Sequence, residues 1–368
     1  MEEVSHGLPS VFTLLMRDLF QRVTRTCLLL VLFLGLSSCH SSPVISDGTT
    51  VYIKQMSLLG GDLDRLESLI EARLGEASLP SPRDRRLTLP EAPKLKMRDF
   101  FGLSTCSLSG LIAYRNSPLG RVQLSSQQLA YEHRFLKESA RCDLSQSRPE
   151  LKEVIALAIS FKRNHWSKFL SNATWGGREI GRFLSVSAPR DFKVRRFNSV
   201  DESNLAWLAQ LTPDDPAELS SLLEKRLKSL PSYVGGSTIV KTSQYLALLA
   251  WSKEILTSIL EQAHMVLMEK PSNHLCLIMK GALSAFSEIQ GEVSESYQSL
   301  MDLSRSLELL SKMNKKQASR SMKQYLNRWA NSSDASAVRE FRELSRENVR
   351  LWAQLFDIHQ CGGALGTQ

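Results

Sequence analysis

Apolar residues recur with helical spacing along most of this chain, and alternating strand patterns are scarce. Leu66, Ile70 and Leu74 recur at i, i+4 spacing, which predicts an amphipathic helix near the start of the chain. Residues 246–251 are apolar on all sides and predict a helix at the centre of the core. Helical periodicity also covers residues 124–140, 149–173, 243–268 and 334–357. The pattern therefore predicts an all-α fold, an irregular multi-helix bundle.

Breaks in this periodicity divide the chain into segments. Residues 78–93 contain four prolines, so this stretch cannot continue a helix and predicts a linker or an extended strap. Pro189 and a basic loop interrupt the helices again, and Val186–Val194 is the one span where we allow a short extended segment. The predicted segments are a tether over 39–50, an N-terminal helix and Pro-rich linker over 51–96, and two halves of one helical body over 97–188 and 199–361.

The first 38 residues have the pattern of a cleaved export signal. Three arginines precede an apolar run over residues 28–36, which is too short to span a bilayer as a helix. Leu36-Ser37-Ser38-Cys39 resembles the bacterial lipobox, in which the cysteine is acylated and becomes the first residue of the mature chain. Several acyl chains on Cys39 suffice as a membrane anchor. The alternative is a plain signal peptide or a short anchor without lipid.

The residues after Cys39 bear on the final location of the protein. His40 and Ser41 follow the cysteine directly, without an aspartate, a pattern that resembles the lipoprotein signals sorted to the outer membrane. We therefore expect a lipid-anchored protein of the bacterial cell envelope that faces the periplasm. Its first partner is membrane lipid, through the acyl chains of Cys39.

Four cysteines remain after Cys39. An even number in an exported chain predicts two disulfides, and of the three possible pairings we expect Cys106–Cys142 and Cys276–Cys361. Four buried free thiols are the alternative. No two of these cysteines have C-x-x-C spacing, and no histidine pair has the spacing of a helical zinc site. We therefore expect neither a metal nor another cofactor.

The composition limits the classes of possible binding partner without selecting one of them. The 368 residues are 42% hydrophobic and 23% charged, with a net charge of +8, which fits a globular protein and excludes a disordered chain. The basic balance permits contact with anionic lipid, glycan or nucleic acid. Nucleic acid is excluded as a partner because the chain is exported and has no recognised nucleic-acid-binding motif. Basic residues concentrate over 83–98, 190–196 and 312–328, which face either anionic head groups or solvent.

No complete catalytic motif is present, but two polar clusters are candidate binding segments. The first polar cluster comprises residues 114–121 and 131–134. Its turn sequence Asn116-Ser117-Pro118-Leu119-Gly120 places Arg115 and Arg121 on either side of a helix–helix corner, with a positive φ permitted at Gly120. Glu132 could pair with one of these arginines. The cluster is either an anion or glycan pocket or a buried polar staple that holds the corner.

The second polar cluster comprises residues 172–179. Gly176-Gly177 ends the preceding helix, Asn172 can bond the exposed carbonyl groups there, and Trp175 covers the corner. An aromatic ring beside Asn172 and Glu179 also suits a stacked sugar, so a saccharide site is the alternative to a structural role.

These segments together resemble a known family. The lipobox, Cys106, the run from Leu111 to Val122, Tyr131–Leu136 and Asn172–Gly177 are similar to a gammaproteobacterial lipoprotein family, domain-of-unknown-function family 3080. The resemblance covers nearly the whole mature chain and is clearest between residues 106 and 185. It implies a lipidated, exported, helix-rich protein and indicates no activity.

Two functions therefore compete. The first is an interaction or scaffold role facing the periplasm, with envelope proteins as partners; it follows from the anchor and the missing catalytic motif. The second is a module or enzyme that binds envelope glycan or lipid in a cleft formed by both polar clusters. That cleft would use Arg115, Asn116, Arg121, Glu132, Asn172, Trp175 and Glu179.

Overall fold

The computed structural model describes residues 47–104, 106–187, 195–215, 219–265, 273–312, 317–330, 336–359 and 361. Within these ranges the chain forms helices and no strand, which confirms the predicted all-α class. All of these ranges, both predicted halves included, belong to one compact unit. The export signal, Cys39 and most of the predicted extended segment over 186–194 lie outside the described residues.

Short helices make up the first half of the chain and longer ones the second. The first ten are α1 Asp47–Leu58, α2 Leu63–Ala77, α3 Pro82–Arg85, α4 Met97–Phe101, α5 Leu108–Asn116, α6 Pro118–Arg121, α7 Ser125–Arg141, α8 Pro149–Asn164, α9 Trp166–Thr174 and α10 Arg178–Phe183. The others are α11 Ser199–Ala209, α12 Leu219–Lys228, α13 Val234–Met265, α14 Asn273–Ser311, α15 Arg320–Trp329 and α16 Ala337–Ile358.

Two helix boundaries differ from the sequence prediction. Helix α1 begins at Asp47, so residues 47–50 are helical and not part of a tether. The single helix predicted over 149–173 is two helices, α8 and α9, because His165 leaves the helical range of φ and ψ. Apolar spacing does not detect a one-residue break, since the periodicity resumes directly after it.

The long helices α13 and α14 form the centre of the fold. Helix α13 packs against α2 and α16, and α14 packs against α1 and α11. Residues 245–249 and Trp251 of α13 are buried, which confirms the central helix predicted from residues 246–251. A helix covered by neighbours on several sides has no polar face to present to water, which explains its uniformly apolar sequence.

Buried tryptophans bond to both ends of α2. Trp251 of α13 donates its indole N–H to the carbonyl of Asp62, just before α2, at 2.8 Å. Trp329 of α15 donates to the carbonyl of Glu76, in the last turn of α2, at 2.9 Å. The last carbonyl groups of a helix have no partner within it. The two indoles therefore hold α2 against the second half of the chain.

Both predicted disulfides are present. Cys106–Cys142 borders a small second core of Leu103, Leu108, Phe135, Leu151 and Ile155. Cys276–Cys361 joins the start of α14 to the chain after α16. Each bond closes a loop between helices of the same compact unit.

Removing either disulfide is expected to lower the free energy of unfolding by a similar amount. The loops span 36 and 85 residues, for which loop entropy predicts losses of about 4 and about 4.5 kcal/mol. Urea unfolding of the double variants Cys106→Ser/Cys142→Ser and Cys276→Ser/Cys361→Ser measures both. Unfolding midpoints that do not move when either pair is removed would contradict the expected contribution of the bonds.

Candidate functional site

The first polar cluster forms the predicted corner between α5 and α6. Arg115 lies in the last turn of α5 and donates from Nη1 to the carbonyl of Gly120, as the staple interpretation expects. Asn116 and Arg121 are exposed on either side. Gly120 does not have the positive φ that the turn sequence suggested. It is needed because a Cβ there would lie 2.2 Å from the carbonyl oxygen of Tyr114.

Glu132 pairs with neither arginine, so that prediction is wrong. It is buried on α7 and forms an ion pair with Lys162 of α8. The Lys162 ammonium also lies 4.4 Å from the ring centroid of Phe135 and 5.1 Å from that of Tyr131. A carboxylate and two aromatic rings therefore surround this cation. Both kinds of group stabilise an ammonium that is partly removed from water.

These residues line a cavity, which we call the apolar groove. It has a volume of about 760 Å³ and lies between residues 91–95 and the helices α4, α5, α7 and α8. Arg115, Asn116 and Glu132 all belong to its lining. Its apolar walls come from Leu95, Phe100, Ile112, Phe135, Ile155 and Phe161.

The charges that line the apolar groove leave one cation without a carboxylate. Lys94 pairs with Glu91, and Lys162 pairs with Glu132. Arg115 forms no ion pair with any carboxylate of the described residues and lies 5.9 Å from the Tyr131 ring centroid. Burial, and then the charge of Glu132, raises the pKa of the Tyr131 phenol above its usual range. The phenol thus stays protonated at neutral pH and can donate a hydrogen bond.

The second polar cluster is largely part of the core. Trp175 is 0% exposed and donates its indole N–H to the carbonyl of Leu310 at 3.2 Å. Glu179 is 3% exposed and accepts a hydrogen bond from the Ser126 hydroxyl at 2.6 Å. The Trp175 ring therefore presents no face on which a sugar could stack, and the structural role is the one the geometry supports.

Asn172 binds the Pro-rich linker, which we call the strap (residues 78–96). The Asn172 amide donates to the carbonyl of Leu87 at 2.9 Å and accepts from its N–H at 2.7 Å. Arg85, buried on the strap, donates to the carbonyl of Trp175 at 2.6 Å. Close approach depends on Gly176, where a Cβ would lie 2.7 Å from Cγ of Arg86. The second polar cluster is thus the surface on which the strap packs.

The two polar clusters meet in a different cavity from the one predicted. Arg121 and Asn172 line a space of about 540 Å³ together with Arg86 and Arg178. We call this space the arginine cavity. It contains none of the other predicted site residues and shares no lining residue with the apolar groove. The single cleft expected from the sequence is therefore divided between two cavities.

Comparison with known proteins agrees with the resemblance seen in the motifs. Residues 63–365 match the family described as protein of unknown function (DUF3080). The chain belongs to this family. Comparison with curated proteins and with solved structures gave no match.

Two further observations describe this DUF3080 protein. In the described ranges, no three His, Cys, Asp or Glu side chains are grouped so as to hold a metal ion. No helix in those ranges is both long and apolar enough to cross a membrane.

Sequence reasoning missed several lining residues of this DUF3080 protein. Lys162 follows Ile155 and Ala158 on one stripe of α8, at i+7 and i+4, so a charge on an apolar stripe was the available signal. Arg86 lies in the basic segment 83–98 and Arg178 in the second polar cluster, but neither pattern indicated that the two arginines share a cavity with Arg121. Arg86 reaches the arginine cavity through packing of the strap on the second polar cluster.

Replacing Trp175 with Phe tests the structural role of the second polar cluster. The variant removes the indole donor and leaves the Leu310 carbonyl, in the last turn of α14, buried without a partner. We expect the free energy of unfolding to fall by about 1–3 kcal/mol. Trp207→Phe is the matched control, because Trp207 is half-buried and stacks on Arg226 at 4.6 Å. Equal stability of Trp175→Phe and wild type in urea would argue against this role.

Proposed function

We propose that this DUF3080 protein is a lipid-anchored protein of the bacterial cell envelope that binds an amphiphilic molecule with an acidic head group. The observation that carries the proposal is the apolar groove with Arg115 as its one lining cation without a carboxylate partner in the described ranges. Envelope location rests on the export signal and the lipobox cysteine, Cys39.

The size and lining of the apolar groove favour a small molecule. Its volume of about 760 Å³ falls in the range of roughly 300–1,000 Å³ that ligand pockets occupy. Four of the six apolar wall residues, Leu95, Phe100, Ile112 and Phe161, are only partly buried, so a hydrocarbon chain in the groove would remove their remaining surface from water. Apolar burial of this kind provides the affinity for an acyl or similar chain.

The charge in the apolar groove favours an acidic head group. Both carboxylates of the lining already form ion pairs. The positively charged head group of a ligand would therefore find no unpaired carboxylate there. Arg115 uses one donor on Gly120, and its other N–H groups form the fork that binds carboxylate or phosphate. The protonated Tyr131 phenol adds a second donor beside it.

Filling the apolar groove is expected to abolish binding of dodecanoate. Ala158 lines the groove on α8, whereas Ala156 of the same helix is exposed and lies outside it. Ala158→Trp should therefore lose dodecanoate binding in calorimetric titration, and Ala156→Trp should keep it. Arg115→Gln should reduce the preference for dodecanoate over uncharged dodecanol by about tenfold, the value of one charged hydrogen bond.

The same titration also provides the results that would contradict the proposed ligand. Wild-type protein that binds neither dodecanoate nor dodecanol has no amphiphile site. Ala156→Trp losing affinity as much as Ala158→Trp would place any binding outside the apolar groove.

An interaction or scaffold role is the second candidate, and exposed apolar side chains favour it. Met97, Phe101, Leu119 and Val122 are each more than two-thirds exposed and all belong to the short helices α4 and α6 or follow them directly. Large apolar side chains exposed to this extent favour a contact surface on these helices. A photo-crosslinking group at Leu119 that captures an envelope protein equally in wild type and in Ala158→Trp would support this role.

Replacing Cys39 with Ser tests the anchor. The Cys39 thiol is the group that a lipobox presents for acylation, so Cys39→Ser should move the protein from the membrane fraction to the soluble fraction of the envelope. It should also abolish incorporation of labelled fatty acid. Ser38→Ala keeps the small residue before Cys39 and serves as the control. Labelled fatty acid remaining on Cys39→Ser would exclude the lipobox interpretation.

A further inference from the structure

The arginine cavity collects positive charge from three separate segments. Arg86 belongs to the strap, Arg121 is the last residue of α6, and Arg178 is the first residue of α10. The rest of its lining is polar or aliphatic, and no carboxylate contributes to it. The space of about 540 Å³ has room for a small polar molecule.

No carboxylate in the described part of the chain neutralises any of the three arginines. Within the described ranges, Arg86, Arg121 and Arg178 form no ion pair with a carboxylate, and Arg86 alone has a backbone partner, the carbonyl of Gly176. Three guanidinium groups around one space repel each other, and an anion bound between them turns this repulsion into attraction. Guanidinium groups bind phosphate oxygens in a bidentate manner.

The start of α7 adds to the positive potential of the arginine cavity. Ser125, the first residue of this 17-residue helix, belongs to the lining. Leu124 precedes it and has no side-chain acceptor for the first N–H groups of the helix. These groups and the helix dipole favour a negative charge at this end. The helix end supplements the three arginines, which are the primary charge.

A neutral acceptor in the lining indicates what accompanies the anion. The Gln123 side-chain oxygen is buried and accepts no hydrogen bond within the described part of the chain. A buried acceptor without a donor costs free energy, and the dianion of a phosphate monoester has no donor to offer. A hydroxyl group next to the phosphate does, and the Ser125 and Gln128 side chains of the same lining can bond further hydroxyls.

We propose that the arginine cavity binds the phosphate ester of a polyhydroxylated molecule, that is, a sugar phosphate. The phosphate lies among Arg86, Arg121 and Arg178, and a neighbouring hydroxyl donates to Gln123. The sugar phosphate is either free or the head group of a glycolipid, since both present the same chemistry. This site is separate from the proposed amphiphile site, because the two cavities have no lining residue in common.

Calorimetric titration with three probes tests the proposal. Glucose 6-phosphate should bind at least about tenfold more tightly than methyl phosphate, a monoester without a hydroxyl group, because the sugar supplies the donor for Gln123, and glucose alone should not bind. Arg121→Gln and Arg178→Gln should each weaken glucose 6-phosphate by at least about tenfold. Both side chains are exposed and donate no hydrogen bond within the described ranges, so their loss leaves the fold intact. Gln123→Leu should weaken glucose 6-phosphate to the affinity of methyl phosphate.

A matched charge control separates a site from general basicity. Arg350 is exposed on α16 and lines neither cavity, so Arg350→Gln should bind glucose 6-phosphate as wild type does. Equal weakening by Arg350→Gln and Arg121→Gln would overturn the proposal, and so would methyl phosphate binding as tightly as glucose 6-phosphate. A negative result in this titration would not change the result expected for dodecanoate. Each of the two proposals can therefore be rejected without the other.

Vesicles distinguish the two sources of the sugar phosphate. Displacement of glucose 6-phosphate by vesicles that contain a phosphorylated glycolipid, and not by phosphatidylcholine vesicles, supports the membrane source. Binding of glucose 6-phosphate that neither kind of vesicle displaces supports the soluble source.

Discussion

Hydrogen bonds from buried side chains to the carbonyl groups at helix ends determine how this fold is assembled. A body of many short helices has many C-terminal ends, and each leaves carbonyl groups without a helical partner. Trp329 bonds to the last turn of α2, Trp175 bonds to the last turn of α14, and Trp251 bonds to the carbonyl of Asp62 just before α2. Burying such a carbonyl without a donor costs about 1–3 kcal/mol. Indole groups are suited to this position because they combine one donor with a large apolar surface.

The same requirement explains why the second polar cluster is closed. The strap has no regular structure over most of its length, so its backbone groups need partners from elsewhere. Asn172 supplies both a donor and an acceptor to Leu87, and Arg85 reaches the carbonyl of Trp175. Residues whose types would suit a sugar-binding site therefore form hydrogen bonds with the strap instead. The strap in turn contributes Arg86 to one cavity and residues 91–95 to the other.

The two cavities differ in character because different parts of the fold form their walls. The apolar groove lies on the small core beside Cys106–Cys142, with Phe135 and Ile155 in both the core and the lining. Four of its five charged side chains form ion pairs with one another. The arginine cavity lies where the strap, α6 and α10 come together, and its three arginines form no ion pair with a carboxylate of the described residues. The apolar groove is suited to an apolar ligand with an acidic end, and the arginine cavity is suited to a polar anion.

Local patterns in the sequence predicted the helical class, the central helix and both disulfides, since helical periodicity and cysteine spacing are properties of short stretches or simple counts. They also placed Arg115 and Arg121 on either side of a corner. They could not decide which residues share a cavity. Glu132 pairs with Lys162 and not with either arginine, and Arg86 joins Arg121 and Arg178 because the strap packs on the second polar cluster. Such neighbours lie far apart in the chain, and only the burial of side chains between segments brings them together.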